Sequence, residues 1–454
     1  MTALFAKRAL LPGGWVENLR LEIAGGHIAT LTTESMAQPG DTKVDTLLPA
    51  LANLHSHAFQ RAMAGMTEYR MAGRDSFWTW RDLMYRFTAH LSPEQIEAIA
   101  ALVYLEMQEA GYASVGEFHY LHHQKDGNAY DNLSEHSDRI MAAALETGIG
   151  LTHLPVLYSY AGVGEKPLES GQARFGNDVE RFCRLVDQAK AHAARHLPAD
   201  CRVGIAPHSL RATSPRDLAE VLQAHGEGPV HIHIAEQQKE VNDCIAWSGQ
   251  RPVEWLMRHA DVNERWCLIH ATHVTDTEVS AMSQSGAIVG LCPVTEANLG
   301  DGLFPVGTFL SQNGRFGIGT DSNINISLAE ECRILEYGQR LQQLKRTLIA
   351  DREGSNGEKI FTRSLEGGQR ALRPGIPAGL DVGAPASFVC LDEDHPVLAG
   401  KSPEQVLDAW IFAGGNDLVK AVCVNGRMVV EERNHVQEEE ITERFKDVMK
   451  HLAE

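Results

Sequence analysis

Apolar and polar residues follow two different patterns along this chain. From about residue 49 to 373, short apolar runs that end in polar residues alternate with stretches in which apolar residues recur every three or four positions. The runs are typical of buried parallel strands and the stretches of amphipathic helices, so together they predict repeated βα units. The clearest helices are predicted at 93–110, 178–194, 214–225, 252–259 and 328–348.

About eight apolar runs alternate with these helices, which is the number that a (β/α)8 barrel of the TIM type requires. In such a barrel the carboxyl ends of the strands carry the chemistry, and polar residues follow these runs repeatedly. The predicted strands are 48–54, 114–116, 151–157, 203–205, 230–234, 267–269, 287–291 and 316–318. We therefore expect an α/β fold with a distorted TIM-like barrel.

Both ends of the chain carry a β pattern instead. Short alternating runs separated by turns occur before residue 48 and again after residue 385, where Asn425-Gly426 between two β-branched runs is a strong hairpin signal. We predict a small β-sandwich domain formed from both termini. The predicted division is a β domain at 1–48 and 374–436, a catalytic barrel at 49–373, and a solvated C-terminal helix at 437–454.

Composition narrows the class of protein. The 454 residues carry a formal net charge of -19, which argues against binding to nucleic acid or to an anionic membrane surface. Eight cysteines are scattered without a CxxC pair, as expected for reduced thiols. The first ten residues lack the apolar core of a signal peptide, and no long apolar run could span a bilayer. We therefore expect a cytoplasmic protein.

A histidine pair ends the first barrel strand. His55 and His57 lie two residues apart, so in an extended strand both imidazoles point to the same side and can converge on one metal ion. Taken alone, this spacing is explained equally well by two polar residues at a strand end. Partners elsewhere in the chain must decide between the two interpretations.

Three later strand ends supply such partners. His233 ends one predicted strand and Glu236 follows it, His270 ends the next, and Asp321 follows the last. Three neutral imidazoles, a carboxylate and a water suit zinc or iron, which accept nitrogen and oxygen ligands together. A lone histidine at a strand end is usually structural, as we interpret His231, but the conjunction of all four strand ends indicates a metal centre.

These residues resemble the amidohydrolase superfamily, whose members carry H-x-H on strand 1, His on strands 5 and 6, and Asp on strand 8. At the end of strand 4, where binuclear members carry a carboxylated lysine, residues 206–211 contain no lysine, and H-x-x-E follows strand 5. That departure resembles the mononuclear deaminase branch, similar to cytosine and guanine deaminases.

The resemblance implies one divalent ion, zinc as first choice and iron as the alternative. It implies that His55, His57, His233 and Asp321 bind the ion and that Asp321 accepts a water proton. By the same resemblance, Glu236 ferries a proton from water to the leaving nitrogen, and His270 positions or polarises the nucleophile.

Four local sequences resemble, within this family, the members that deiminate N-formimino-L-glutamate in histidine degradation: HSHAFQRAMAG, FWTWRDLMY, GEFHYLHH and APHSLRA. The implied products are N-formyl-L-glutamate and ammonia. The implied substrate contacts are Gln60, Arg81, Tyr120, His208 and Arg211. Arginine suits a dicarboxylate because its planar fork binds carboxylate in bidentate fashion.

The sequence does not rank these arginines against their neighbours Arg61, Arg70, Arg74 and Arg86. Trp78 and Trp80 could form a lid or an apolar anchor.

A homodimer is expected because similar enzymes are commonly dimeric. The main alternative is a deaminase of a cyclic amidine such as guanine, cytosine or a triazine. A second alternative is a catalytically inactive barrel that serves as an assembly protein.

Overall fold

The computed structural model describes residues 3–69, 76–350 and 353–453. Arg70 and Arg74, two of the competing arginines, lie outside the described residues. The strands are β1 (Ala3–Leu11), β2 (Gly14–Ala24), β3 (His27–Thr32), β4 (Thr42–Pro49), β5 (Leu51–Ser56), β6 (Tyr112–His119), β7 (Gly150–Leu157), β8 (Arg202–Val203), β9 (Ala206–Pro207), β10 (Val230–Ile234), β11 (Trp266–His270), β12 (Ile288–Leu291), β13 (Arg315–Ile318), β14 (Phe388–Leu391), β15 (Val419–Val424), β16 (Arg427–Glu431) and β17 (Asn434–His435).

The five predicted helices are present, and four of them agree with the prediction within two residues at each end. The helices are α1 (Phe77–Thr88), α2 (Pro93–Glu109), α3 (Glu135–Thr147), α4 (Val179–His196), α5 (Pro215–Ala224), α6 (Gln238–Ser248), α7 (Pro252–His259), α8 (Asp276–Ser285), α9 (Pro293–Leu299), α10 (Val306–Ser311), α11 (Leu328–Gln343), α12 (Asn356–Leu372), α13 (Val406–Ala413) and α14 (Glu438–Ala453). Within the described residues, no helix is long and apolar enough to cross a membrane.

The barrel strands form two parallel sheets that join into a ring. One sheet has the order β5-β6-β7-β8, with β9 also paired to β7, and the other has the order β10-β11-β12-β13. Isolated parallel bridges join Ile205 to Val230 and Ser56 to Asp321, so each sheet continues into the other. Eight strand positions thus surround one interior, and the predicted α/β barrel is confirmed.

Strands from both chain ends form a separate sheet of eight strands in the order β17-β16-β15-β14-β4-β1-β2-β3. These strands enclose their own apolar core, which includes Leu4, Leu21, Leu47 and Phe388. The predicted β domain from both termini is therefore confirmed. Strand β4, which the sequence pattern did not indicate, pairs with β1 and β14 and is followed after one residue by β5. The terminal sheet thus continues directly into the strand that carries His55.

Three predicted elements need correction. The predicted helix at 328–348 ends at Gln343, because Leu344 takes a left-handed conformation with φ of 54° and is exposed. The predicted strand at 203–205 is divided into β8 and β9 around Gly204, and Pro207 in β9 lacks the N–H that a continuing ladder needs. The predicted solvated helix, α14, is only partly solvated, since its Ile441 is buried in the main core.

Close backbone approach at two glycines brings the barrel elements together. A side chain on Gly367 of α12 would collide with the carbonyl of Phe316, so this helix lies directly on β13. A Cβ on Gly319 would lie 2.8 Å from the backbone nitrogen of His55. These glycines let the end of β13 lie against the end of β5, where the polar residues meet.

Candidate metal centre and substrate pocket

Four side chains from three strand ends meet inside the barrel. His55 and His57 follow along β5, His233 lies on β10, and Asp321 comes just after β13; their ligand atoms all lie within 4.8 Å of one another. Nε2 of His55 is 3.0 Å from Nε2 of His233 and 3.5 Å from Oδ1 of Asp321, and Nε2 of His57 is 3.2 Å from the same oxygen. Two ligands of a tetrahedral zinc ion are about 3.3 Å apart, so these residues fit such an ion.

Backbone carbonyls set the orientation of two of the rings. Nδ1 of His57 donates to the carbonyl of Phe118 at 2.7 Å, and Nδ1 of His233 donates to the carbonyl of His208 at 3.2 Å. With Nδ1 protonated, each Nε2 keeps its lone pair free to bind a metal. Burial lowers the pKa of His55 to about 3. Burial also lowers the pKa of His57 and His233, so the three metal-site histidines are neutral, as metal ligands must be.

Backbone hydrogen bonds hold Asp321 against β5. Its N–H donates to the carbonyl of His55 at 3.0 Å, and its own carbonyl accepts from the N–H of His57 at 2.9 Å. Asp321 adopts a φ of 47°, a left-handed conformation that costs about 1 kcal/mol or more for a residue with a Cβ. Burial acts to raise the pKa of this carboxyl, but a hydrogen bond with His55 and the nearby imidazoles lower it overall.

Glu236 and His270 face each other beside this centre. Nε2 of His270 lies 3.9 Å from Oε1 of Glu236 and 3.7 Å from Oδ2 of Asp321. Burial raises the pKa of the Glu236 carboxyl to about 7, against the opposing effect of His270 and Arg211. A carboxyl group with that pKa can both accept and release a proton near neutral pH.

Two carboxylates that the sequence analysis did not identify support these residues. Oε1 of Glu296, on α9, accepts from Nδ1 of His270 at 3.2 Å and from the N–H of Cys292 at 3.0 Å. Burial acts to lower the pKa of His270, but Glu236, Glu296 and Asp321 raise it to about 10. Glu240, on α6, accepts from the N–H groups of Ala235 and Glu236 at 3.2 and 3.3 Å. Glu240 and Glu296 each follow the end of a strand within about six residues. This position is the one signal in the sequence that could have indicated them.

One pocket is lined by every predicted substrate contact and, apart from His55, by the residues of this centre. Gln60, Arg81, Tyr120, His208 and Arg211 line it together with His57, His233, Glu236, His270 and Asp321. The remaining lining residues are Phe77, Trp80, Met84, Tyr85, Tyr158, Phe175 and Leu299. Polar groups therefore lie in a wall that is otherwise mostly aromatic, as is common in small-molecule sites.

The two pocket arginines keep unused hydrogen-bond donors. Nε of Arg81 and Nε of Arg211 are both buried without a hydrogen-bond acceptor, and Arg211 has only long contacts, 3.5 Å to Glu236 and 3.8 Å to Glu240. The guanidinium of Arg81 lies 4.8 Å from the centre of the Trp78 ring, so Trp78 supports an arginine, whereas Trp80 lines the pocket. Buried donors without acceptors are costly, which suits a site that receives an anion.

The competing arginines in the described residues do not line the pocket. Arg61 pairs with Glu106 at 2.6 Å and donates to two backbone carbonyls, and Arg86 is exposed.

Two further predicted residues keep polar atoms near the centre. Gln60 donates from Nε2 to the Tyr120 hydroxyl at 2.8 Å, whereas its Oε1 has no partner. The ring of His208 lies 4.9 Å from that of His233, and its Nδ1 is 2.9 Å from the Ser209 hydroxyl. His231 points elsewhere, with Nε2 3.1 Å from the carbonyl of Ala371, in line with a structural role.

Comparisons with known proteins cover the whole chain. A family model described as the amidohydrolase family matches residues 46–429, and one described as the N-terminal domain of formimidoylglutamate deiminase HutF matches residues 1–45. Formimidoylglutamate deiminase of Pseudomonas aeruginosa is 50% identical over 460 residues, with 100% of both chains covered.

Solved structures agree with this similarity. The crystal structure of an amidohydrolase from Brucella melitensis matches with a TM-score of 0.96 and 48% identity over 100% of both chains. An adenosine deaminase from Xanthomonas campestris with bound zinc matches with a TM-score of 0.83 and 20% identity, over 100% of this chain and 98% of the other. At that identity the second match supports the fold alone.

Proposed function

This chain belongs to the amidohydrolase family, and we propose that it hydrolyses N-formimino-L-glutamate to N-formyl-L-glutamate and ammonia. The observation that carries the proposal is one pocket in which three residues of a four-residue metal centre lie beside two arginines with unused donors. The substrate combines a cationic formimino group with two carboxylates, and the pocket offers acceptors for the first and donors for the second. The relative from Pseudomonas aeruginosa, which is 50% identical to this chain, is named for this same activity.

We assign the metal to His55, His57, His233 and Asp321. When bound there, a divalent ion lowers the pKa of a water from about 15.7 towards about 7 and so supplies a nucleophile at neutral pH. Zinc is our first choice, and iron is the alternative, since three imidazoles and one carboxylate suit both.

The remaining chemistry is proton transfer by protein side chains. Ammonia leaves only after its nitrogen is protonated, and the Glu236 carboxyl, with a pKa of about 7, is placed to take a proton from water and deliver it there. Asp321 accepts the first water proton. Nε2 of His270, between the carboxylates of Glu236 and Asp321, orients the attacking oxygen.

The substrate's carboxylates would bind to Arg81 and Arg211, whose Nε atoms lack acceptors. Gln60, Tyr120 and His208 would provide hydrogen bonds nearer to the metal, where Oε1 of Gln60 is free to accept an N–H of the substrate. In this division of roles the barrel at 49–373 performs the chemistry, and the terminal β domain at 1–48 and 374–436 supports it.

We also propose a homodimeric enzyme of the cytoplasm. Its eight cysteines are free, which suits a reducing compartment. Light scattering of the purified protein would test the dimer.

An ammonia-release assay tests the proposed activity. Purified protein with measured metal content is incubated with N-formimino-L-glutamate and, in parallel, with guanine, cytosine and an aminotriazine. We expect ammonia only from the first compound. Efficient release from a ring compound would support the cyclic-amidine alternative, and no release from any compound by metal-loaded protein would support the inactive barrel.

A further inference from the structure

A buried glutamine connects two tyrosines of the pocket wall. Gln172 ends a short 3-10 turn, Ser170–Gln172, and is 1% exposed. Its Nε2 lies 3.2 Å from the hydroxyl of Tyr85 and 2.9 Å from the hydroxyl of Tyr158. Both tyrosines line the pocket, whereas Gln172 lies behind them. None of these three residues was predicted as part of the site.

The backbone fixes which end of the glutamine amide faces the tyrosines. Oε1 of Gln172 accepts from the N–H of Glu169 at 2.9 Å, and because an N–H can only donate, the NH2 end must point the other way. The two N–H bonds of Nε2 then reach the two tyrosine oxygens. Each tyrosine oxygen is thus an acceptor towards Gln172, and its own proton must be donated elsewhere.

At least one of those hydroxyl protons is available to a ligand. The two tyrosine oxygens are 3.4 Å apart, and a hydrogen bond between them would use only one of the two protons. The apolar rings of Tyr85 and Tyr158 pack against Phe175, with centroid separations of 5.7 Å in both cases. Because both tyrosines line the pocket, a ligand there can accept the remaining hydroxyl proton.

The same end of the pocket contains the arginines. The Arg81 guanidinium lies 5.3 Å from the centre of the Tyr85 ring, and Arg211 also lines the pocket. Guanidinium groups have no acceptor, and each tyrosine oxygen already accepts from Gln172, so the side chains here present mainly donors. The metal end is different, since Glu236, Asp321 and Oε1 of Gln60 are acceptors. The ring of His208 separates the two ends, 4.9 Å from His233 and 4.7 Å from Tyr158.

We propose that Gln172 determines substrate specificity by holding the hydroxyls of Tyr85 and Tyr158 as hydrogen-bond donors to one substrate carboxylate. This end of the pocket then favours a carboxylate over a carboxamide, whose NH2 group would face the donors of Arg81 and the tyrosines. The inference rests on the proposed function, because it assigns the recognition of one end of that substrate. A site built for one hydrogen-bonding pattern discriminates strongly against the other.

Binding measurements test the inference without relying on turnover. Metal-loaded protein is titrated calorimetrically with N-acetyl-L-glutamate and with its two monoamides, N-acetyl-L-glutamine and N-acetyl-L-isoglutamine. We expect the diacid to bind at least about 10-fold more tightly than either monoamide, because each amide loses charge-assisted hydrogen bonds. Equal affinities for all three ligands would overturn the proposal.

Two variants identify the residues responsible. Gln172→Glu places an acceptor behind the tyrosines, so their protons turn away from the pocket, and the preference for diacid over one of the monoamides should fall about 10-fold to 100-fold. Tyr158→Phe removes one donor without adding a charge and should weaken diacid binding by about 10-fold or more. The matched control is Gln339→Glu, a buried glutamine on α11 that donates to the carbonyl of Phe304.

The outcomes separate this inference from the proposed function. If wild-type protein releases ammonia from N-formimino-L-glutamate but Gln172→Glu and Tyr158→Phe keep the ligand preference of Gln339→Glu, the inference is wrong and the function stands. If no ammonia is released but the preference depends on Gln172 and Tyr158, the function is wrong and the carboxylate subsite stands.

Discussion

Two groups of buried histidines lie next to each other in this protein. Burial lowers the pKa in both groups, but the groups differ in the spacing of their rings and in the charged residues around them. The metal-site histidines are His55, His57 and His233, and we call His119, His122, His136 and His153 the outer histidines. Phe118 of β6 contacts all three metal-site rings, at centroid distances of 4.4 to 5.3 Å. Its neighbour His119 lies 6.0 to 6.1 Å from the other outer rings. Since consecutive residues of a strand point to opposite faces, β6 separates the two groups.

The two groups differ in the distances between their rings and in the charged side chains that surround them. Ring centroids among the metal-site histidines are 4.7 to 5.4 Å apart, and Asp321 lies against them. In the described part of the chain no carboxylate is paired with an outer histidine, and Arg174 lies 3.5 Å from His136 instead. Both ring nitrogens of His119 and of His153 lack hydrogen-bond partners. The positive charge of Arg174 would therefore oppose a cation at the outer group, whereas the negative charge of Asp321 favours one at the metal site.

The comparison shows that a metal site depends on convergence rather than on histidine content. The segment GEFHYLHH contains three histidines and HSH only two, yet the histidines of GEFHYLHH turn away from the barrel interior. What distinguishes His55, His57 and His233 is their place at two strand ends that face inwards, with a carboxylate from a third strand end. The predictions below test this distinction.

Matched deletions in the two groups should have the most unequal effects. His233→Ala removes one metal ligand and should abolish both bound metal and turnover, because the remaining residues leave the ion incompletely coordinated. His153→Ala also removes a buried imidazole but should leave the metal content at one ion per chain. Metal analysis of both purified variants measures the difference. Equal metal loss in the two variants would contradict our assignment of the site.

Replacing the carboxyl group of Glu236 should separate metal binding from catalysis. Glu236→Gln keeps the shape of the side chain but cannot carry a proton, so kcat should fall about 100-fold to 10,000-fold while metal content is unchanged. Glu331→Gln is the control, since Glu331 is a buried carboxylate that accepts from the N–H of Val294 without touching the centre. Loss of metal from Glu236→Gln would mean that Glu236 is a ligand.

The site residues at the strand ends were predictable because the barrel topology brings these ends together whatever conformation the loops adopt. His55, His57, His233, His270 and Asp321 each end or closely follow an apolar run, and parallel strands in a closed barrel place such residues on one rim. Their clustering follows from the order of the strands alone. Sequence pattern and resemblance together also indicated Arg81 and Arg211, whose segments line the same pocket.

Contacts made by loops and short helices were not predictable in the same way. Gln172 lies in the long connection between β7 and α4, where no periodic pattern exists to place it behind Tyr85 and Tyr158. Strand β4 was missed because its pairing with β1 and β14 determines it more than its own residues do. Helix α11 was predicted too long because residues after Gln343 continue a helical pattern that Leu344 interrupts.

Removing the Glu296 carboxylate should leave His270 without a carboxylate on Nδ1. In this respect His270 would resemble the outer histidines, which have no carboxylate partner. Glu296→Ala leaves Nδ1 of His270 without its acceptor, so the ring loses its fixed orientation, and we expect kcat to fall about 10-fold to 100-fold with metal retained. Glu331→Ala, also a buried carboxylate near α9, controls for lost stability. If both variants lose activity in proportion to their unfolding free energies, Glu296 is only structural.

The smallest expected effect concerns the pH dependence of stability, and it tests the outer group directly. Burial lowers the pKa of His153 to about 3, and the nearby titratable groups are His119 and His122. Its folded-state pKa lies below the unfolded value of about 6.5, so the unfolded chain binds more protons between these values, and stability falls as pH falls below about 6.5.

Between pH 7.5 and pH 5 one such histidine removes about 2 kcal/mol from the free energy of unfolding. His153→Phe cannot be protonated, so urea unfolding at the two pH values should show a loss smaller by up to this amount than in the wild type. The control is His27→Phe, which replaces an exposed imidazole on β3 in the same way. An unchanged pH dependence in His153→Phe would mean that this imidazole is not held neutral by burial. The outer histidines would then differ from the metal-site histidines in protonation as well as in position.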